Sequence, residues 1–142
     1  MTKAVLLSIT GKQTYLDQEP EKIELVTQGV MEQNDENWHI TYEESALTGL
    51  EGVTTAFDIY PEKIVLTRTG KLNSQMVFRE NQRHDSLYQT EYGTFMITVC
   101  AKSIRAQIGQ DGGEIDLAYD IEIEHGSAGE ISYHIEIKTP GV

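Results

Sequence analysis

The sequence predicts an all-β fold, an antiparallel up-and-down meander closing into a barrel of about 8–10 strands. Three observations predict it. Apolar and polar residues alternate along most of the chain, the period of a strand with one wet face. Tight, turn-rich links separate the alternating segments. Apart from one short link, no segment offers a helical period, which leaves no crossover for a parallel βαβ unit.

The alternation is plainest near the C-terminus. Ile115, Leu117, Tyr119, Ile121 and Ile123 alternate with Glu114, Asp116, Asp120, Glu122 and Glu124. Then Ile131, Tyr133, Ile135 and Ile137 alternate with Glu130, Ser132, His134, Glu136 and Lys138. Wound as a helix, these apolar residues would spread around the whole circumference. Gly126-Ser127-Ala128 reads as the hairpin link between the two segments. A pairing of His125 with Gly129 then sets Ile123 against Ile131, Ile121 against Tyr133 and Tyr119 against Ile135. On the outer face it sets Asp120 against His134 and Asp116 against Lys138, with Glu124 opposite Glu130 as a local cost.

A second hairpin runs through Gly70-Lys71-Leu72, with Leu66 facing Met76 and Ile64 facing Phe78. A third turns on Asp111-Gly112, a dipeptide suited to a type I′ turn, with Ile108 facing Ile115, Ala106 facing Leu117 and Ile104 facing Tyr119. Upstream of that turn the apolar parity slips from odd (Phe95, Ile97, Val99) to even (Ile104, Ala106, Ile108). A β-bulge near Ala101-Lys102-Ser103 accounts for the slip. Further strands are expected over 3–13, 21–33, 37–45, 53–60 and 84–91. Turns are expected at Asp17-Gln18-Glu19-Pro20, Asn34-Asp35-Glu36 and Asn81-Gln82-Arg83. The segment 45–52 is the one long irregular link, with room for a helical turn. Closing the meander removes the sticky edges of a flat sheet, and a two-sheet sandwich is the alternative.

Length and composition fit this reading. The 142 residues suit one domain spanning 1–142, and the hydrophobic share of 39% and charged share of 24% are those of a globular protein. With 23 acids against 11 bases the formal charge is −12, a surface that repels phosphate backbones, so no nucleic-acid partner is expected. Cys100 is the only cysteine, which rules out an internal disulfide and suits a reducing compartment. The apolar stretch Val5–Ile9 is short for a leader core and is followed by Lys12, and no run approaches the ~20 apolar residues of a membrane helix. The expected location is therefore cytoplasmic, with no membrane partner.

Four stretches carry a resemblance. They are Trp38-His39-Ile40-Thr41-Tyr42-Glu43-Glu44-Ser45, Leu47-Thr48-Gly49-Leu50-Glu51-Gly52, Arg68-Thr69-Gly70 and Tyr88-Gln89-Thr90-Glu91-Tyr92-Gly93. Together they resemble a family of small uncharacterised bacterial proteins with a calycin-like barrel, the group that includes lipocalins. The resemblance implies a lipocalin-like barrel and supplies no catalytic residue. By analogy with calycins it implies a lumen able to hold a small greasy ligand.

Arg68 is the residue of greatest interest. By parity it shares a face with Ile64 and Leu66 and so points toward the lumen. A guanidinium there requires a carboxylate or a ligand anion, unless it snorkels out at the strand end. Glu44 is the candidate carboxylate, because Trp38, Ile40, Tyr42 and Glu44 share one face. Glu43 lies on the other face with His39 and Thr41, so Glu43 and Glu44 cannot work as an acid–base couple. Tyr42, Tyr88, Tyr119 and Tyr133 fall on inward positions. With Arg68 they could hold the head of a small anion, or they could fill a packed or wet lumen.

No cofactor or metal is expected. His39, His84, His125 and His134 share no metal-binding spacing with each other or with Cys100, and His134 reads as a cross-strand neighbour of Asp120. Phosphate loops, dinucleotide fingerprints and nucleophile elbows are absent, and nothing points to catalysis. Charge is uneven, with five bases against Glu80 alone over residues 63–83 and seven acids without a base over 114–136. An enzyme has the least support, and two other functions stand ahead of it. The first is binding of a small hydrophobic, amphipathic or anionic ligand in the lumen. The second is a non-catalytic protein-interaction module or homodimer, using outward apolar residues such as Val65 opposite Val77.

Overall fold

Successive strand residues point to opposite faces, so every alternating segment offers one greasy and one wet side, and burying the greasy sides together closes the wall. The computed structural model describes residues 2–15 and 18–140, with Ser127 represented by its backbone. Ten strands build it: β1 (Thr2–Tyr15), β2 (Glu21–Gln33), β3 (Trp38–Glu43), β4 (Val53–Ile59), β5 (Ile64–Gly70), β6 (Leu72–Phe78), β7 (Arg83–Thr90), β8 (Gly93–Gly109), β9 (Gly112–Ile123) and β10 (Gly126–Lys138). Each pairs antiparallel with its neighbours in sequence, and β1 pairs with β10 to seal a closed barrel. Ala46–Thr48 forms a single 3₁₀ turn in the irregular link, capped by the Ser45 hydroxyl and ended by left-handed Gly49. Of the expected turn at Asp17-Gln18-Glu19-Pro20, Asp17 lies outside the described residues.

The inward faces form one core. Leu7, Ile64, Leu66, Phe78 and Ala101 are fully buried, and the rings of Phe78 and Tyr119 meet with centroids 4.6 Å apart. The β5–β6 hairpin has the expected register, with Leu66 opposite Met76 and Val65 opposite Val77 outside. The parity slip is a β-bulge between Ala101 and Ser103.

Two other hairpins differ from expectation. The β9–β10 turn falls on Glu124-His125, both with positive φ (50° and 68°), the geometry of a primed two-residue turn. Gly126 therefore belongs to β10, and a second bulge follows between Ser127 and Gly129. Gly129 adopts a φ of 149°, and a Cβ there would lie 2.2 Å from the Thr14 carbonyl oxygen. In consequence Ile131 faces Tyr119, Ile135 faces Ile115 and His134 faces Asp116 rather than Asp120. The even shift leaves every inward residue inward. It also replaces the Glu124–Glu130 clash with Glu130 facing Asp120, where Lys102 bridges both carboxylates. The β8–β9 turn is Gln110-Asp111 rather than Asp111-Gly112, which sets Ala106 against Ile115 and Ile104 against Leu117. Gly112 opens β9 with a φ of 116°, against the Ile137 carbonyl.

The wall has one thin seam. β6 and β7 pair through Leu72–Thr90 and Asn73–Gln89 alone. Beyond these, the Val77 amide donates to His84 Nδ1 at 3.4 Å, and Glu80 bridges to Ala101 of β8.

Candidate functional site

All strands end at one of two rims. The rim that carries the link 44–52 and the β7–β8 and β9–β10 turns opens into a cavity of about 470 Å³, within the range of small-ligand sites. Its wall is mostly apolar, and Ile23, Leu25, Phe95, Ile121 and Ile123 are prominent. The six residues singled out from the sequence, Tyr42, Glu44, Arg68, Tyr88, Tyr119 and Tyr133, all line it. The lumen is thus packed in the half built from Leu7, Ile64 and Phe78 and hollow in the other.

Arg68 follows Ile64 and Leu66 on the inward face of β5, and its side chain is 10% exposed, so it does not snorkel into solvent. Its Nη2 donates to the Tyr133 hydroxyl at 3.3 Å. β5 and β10 lie five places apart in either direction round the ten-strand wall, so this bond crosses the lumen. Arg68 Nε is buried with no hydrogen-bond partner among the described residues. Burial disfavours the Arg68 charge, but the phenols of Tyr133, Tyr119 and Tyr42 outweigh it and hold the guanidinium above its ordinary pKa. Ser74 faces Arg68 across the β5–β6 ladder, and its buried hydroxyl also lacks a partner.

Glu44 stands just past the end of β3, where its amide donates to the Val53 carbonyl at 2.9 Å. Its side chain is 2% exposed, and Oε2 lies 4.0 Å from Arg68 Nε, an ion pair without a direct hydrogen bond. The carboxylate is instead held by hydroxyls. Thr55 of β4 donates to Oε2 at 2.6 Å, and Thr48 of the 3₁₀ turn donates to Oε1 at 3.0 Å. Thr48 and Thr55 gave no signal in the sequence, since a threonine on a strand or in a turn is ordinary.

The phenols are donors. Burial pushes Tyr42 well above the ordinary tyrosine pKa, reinforced by the Glu44 carboxylate. Burial does the same for Tyr119, with Tyr133 next in effect. Tyr15, which the sequence reading passed over, also lines the cavity, and burial raises its pKa too. Protonated phenols around a guanidinium can donate to an anion without adding negative charge.

Other clusters lie outside the lumen. Glu114, His134 and Glu136 come within 4.8 Å of one another on the outer wall, a grouping the sequence spacing hid because it spans two strands. His134 is committed to Asp116 at 2.7 Å. His39 pairs with Asp58 at 2.6 Å, also outside. Cys100 is half-buried. At the opposite rim a wider, more polar groove runs between Asn34–Trp38, Tyr60–Lys63 and Ile104–Ile108. No helix among the described residues is long and apolar enough to cross a membrane.

Residues 7–135 match the family model described as "Domain of unknown function (DUF1934)", and the chain belongs to that family. A solved structure, the ywiB protein from Bacillus subtilis, is similar in fold. It has a TM-score of 0.82 at 20% identity, covering 97% of this chain and 94% of that one. No curated protein matches the chain.

Proposed function

We propose that this member of the DUF1934 family binds one small amphipathic anion in the barrel lumen. The charged head sits at Arg68 among Tyr42, Tyr119 and Tyr133, and the apolar body lies along Ile23, Leu25 and Phe95 toward the rim. The observation that carries this reading is the state of Arg68. A guanidinium with five donors is buried beside a cavity of about 470 Å³ with, among the described residues, a single hydrogen bond at 3.3 Å. Burying a charge so sparsely satisfied is costly unless a partner completes it. The lumen reads as a binding site rather than a catalytic one. Its carboxylate, Glu44, is engaged by two hydroxyls and faces Arg68, and no imidazole lines the described wall. The lone Cys100 fits a reducing, cytoplasmic setting.

Native mass spectrometry and thermal shift with decanoate test the proposal. The expected result is a one-to-one complex that raises the melting temperature, with affinity falling by about tenfold or more in Arg68→Gln. Failure of decanoate to bind, or equal binding by Arg68→Gln, overturns it.

A second reading, a homodimer, draws on the outer face of β1 and β2, where Leu6, Val26 and Val30 are 38%, 65% and 44% exposed. Neighbouring exposed apolar side chains of this kind suit a self-association patch. Light scattering decides it, because Val26→Glu should dissociate a dimer and leave a monomer unchanged.

A further inference from the structure

We infer that Glu44 limits the lumen ligand to a single negative charge, so the head group is a carboxylate or similar monoanion and not a phosphate dianion. This rests on the lumen-anion reading above and adds to it a rule of selection. Arg68 and Glu44 together bring no net charge to the site, and their closest atoms are 4.0 Å apart. A monoanion that hydrogen-bonds the guanidinium and the phenols from the cavity lies closer to Arg68 than to Glu44, so attraction exceeds repulsion. A second charge on the same head meets the same pair, but its desolvation cost grows as the square of the charge. No other cation lines the described cavity, so no further group offsets that second charge.

Glu44 cannot easily turn away. Thr55 holds Oε2, Oε1 shares the Thr48 hydroxyl proton with the Ser45 carbonyl, and the Glu44 backbone is tied to Val53. Nor do these threonines free it to take a cationic ligand, because an ammonium there would sit beside Arg68. The phenols discriminate in the same sense. As protonated donors they neutralise nothing, and they fit an acceptor whose charge Arg68 alone can balance.

The experiment compares ligands of one chain length in the full-length protein by calorimetry or by displacement of an environment-sensitive dye. At pH about 8, where an alkyl phosphate has lost its second proton (pKa about 6), decyl phosphate should bind at least about tenfold more weakly than decanoate. At pH about 5.5 it should approach the affinity of decanesulfonate, which keeps one charge throughout and corrects for titration of the protein. Glu44→Gln, which removes the charge, keeps an acceptor oxygen for Thr55 and leaves Thr48 the Ser45 carbonyl as acceptor, should narrow the gap at the higher pH. Equal binding of decanoate and decyl phosphate dianion in the wild type refutes the charge limit and leaves the anion site standing. A gap that persists in Glu44→Gln also refutes it, since the selection would then not come from Glu44. Binding of decanol as tight as decanoate instead refutes the anion site itself. Because the pH comparison needs no substitution, the test survives a variant that folds poorly.

Discussion

If Arg68 and Glu44 form a working ion pair, removing both partners should cost less than the sum of the two single removals. At 4.0 Å the pair attracts by about 4 kcal/mol at an effective dielectric near 20, opposed by the desolvation of two nearly buried ions. Arg68→Met removes that attraction and strands a carboxylate that is 2% exposed, with only the Thr48 and Thr55 hydroxyls left to satisfy it. The expected loss is about 3 kcal/mol. Glu44→Gln keeps one acceptor oxygen, for Thr55, while its amide nitrogen meets a Thr48 hydroxyl that can donate to the Ser45 carbonyl instead, and Arg68 stays beside a cavity that water can enter, so about 1 kcal/mol is expected. The double variant Arg68→Met/Glu44→Gln should lose about 2 kcal/mol rather than the sum of the singles, a coupling of about 2 kcal/mol. Urea unfolding of the four proteins at one neutral pH measures each term, with unchanged m-values confirming that the unfolded reference is the same. A coupling below about 0.5 kcal/mol would refute the reasoning, because the contact would then be worth no more than an exposed pair.

Other consequences can be checked separately. The hydrogen bond that His134 Nδ1 donates to the Asp116 carboxylate raises the His134 pKa above its ordinary value, so NMR titration should place its midpoint above 6.5, and Asp116→Asn should bring it down. Because the folded value is raised, the pair's stabilisation is fully present below the unfolded pKa of about 6.5 and fades as pH rises through the folded one. Asp116→Asn should therefore flatten that part of the stability profile. Phe78→Ala empties a fully buried site against Tyr119 and should cost about 3–5 kcal/mol by chemical denaturation. Gly129→Ala forces a Cβ against the Thr14 carbonyl at a positive φ and should cost about 1–3 kcal/mol, with amide exchange accelerated at the β1–β10 seam.

The parts of the fold written in side-chain alternation were legible, and those written in backbone dihedrals were not. Ile64, Leu66, Met76 and Phe78 set the β5–β6 register because their pattern and their short link agree. The switch of apolar parity across Ala101-Lys102-Ser103 located a bulge, since a strand can change faces only by adding a residue. At β9–β10 the alternation admits several registers two residues apart, all with the same inward set. The choice fell to the turn, and the chain turns on Glu124-His125, two residues that seldom take positive φ. Glycine marks a place where the backbone is free to bend without saying which way it bends, and here Gly129 supplies the bulge instead of the turn. The same limit hid the β6–β7 seam, which depends on how two strands diverge and on His84 meeting a backbone amide.

The candidate site was legible as a set of faces and hidden as a set of contacts. Parity placed Arg68, Glu44 and four tyrosines on the inside, and the structure brings all six to one cavity. That Thr48 and Thr55 pin Glu44, and that Arg68 reaches Tyr133 on the opposite wall, depends on closure, which brings together residues up to 65 positions apart.

The division of the lumen gives these contacts their meaning. Along β5 the inward face passes from two fully buried aliphatic residues, Ile64 and Leu66, to Arg68 in a single step. A sequence selected only for stability would continue the aliphatic run, since a hydrophobic replacement of a buried ion pair is often neutral or stabilising. Here the departure recurs on neighbouring elements: Glu44 after β3, Thr55 on β4, Arg68 on β5 and Ser74 on β6. Each is buried, and all but Glu44 lie within strands whose geometry the closed wall fixes. Under the proposed lumen binding, polar groups fixed on the wall in this way would spare a ligand the cost of ordering them. The packed half thus provides the rigidity that lets the hollow half keep a sparsely bonded guanidinium in place. Buried polar groups recur on β7 and β8, at the Ser86 hydroxyl and at Thr98, but the buried charged pair lies in this sector alone among the described residues, the departure from core rules that the lumen-binding proposal requires.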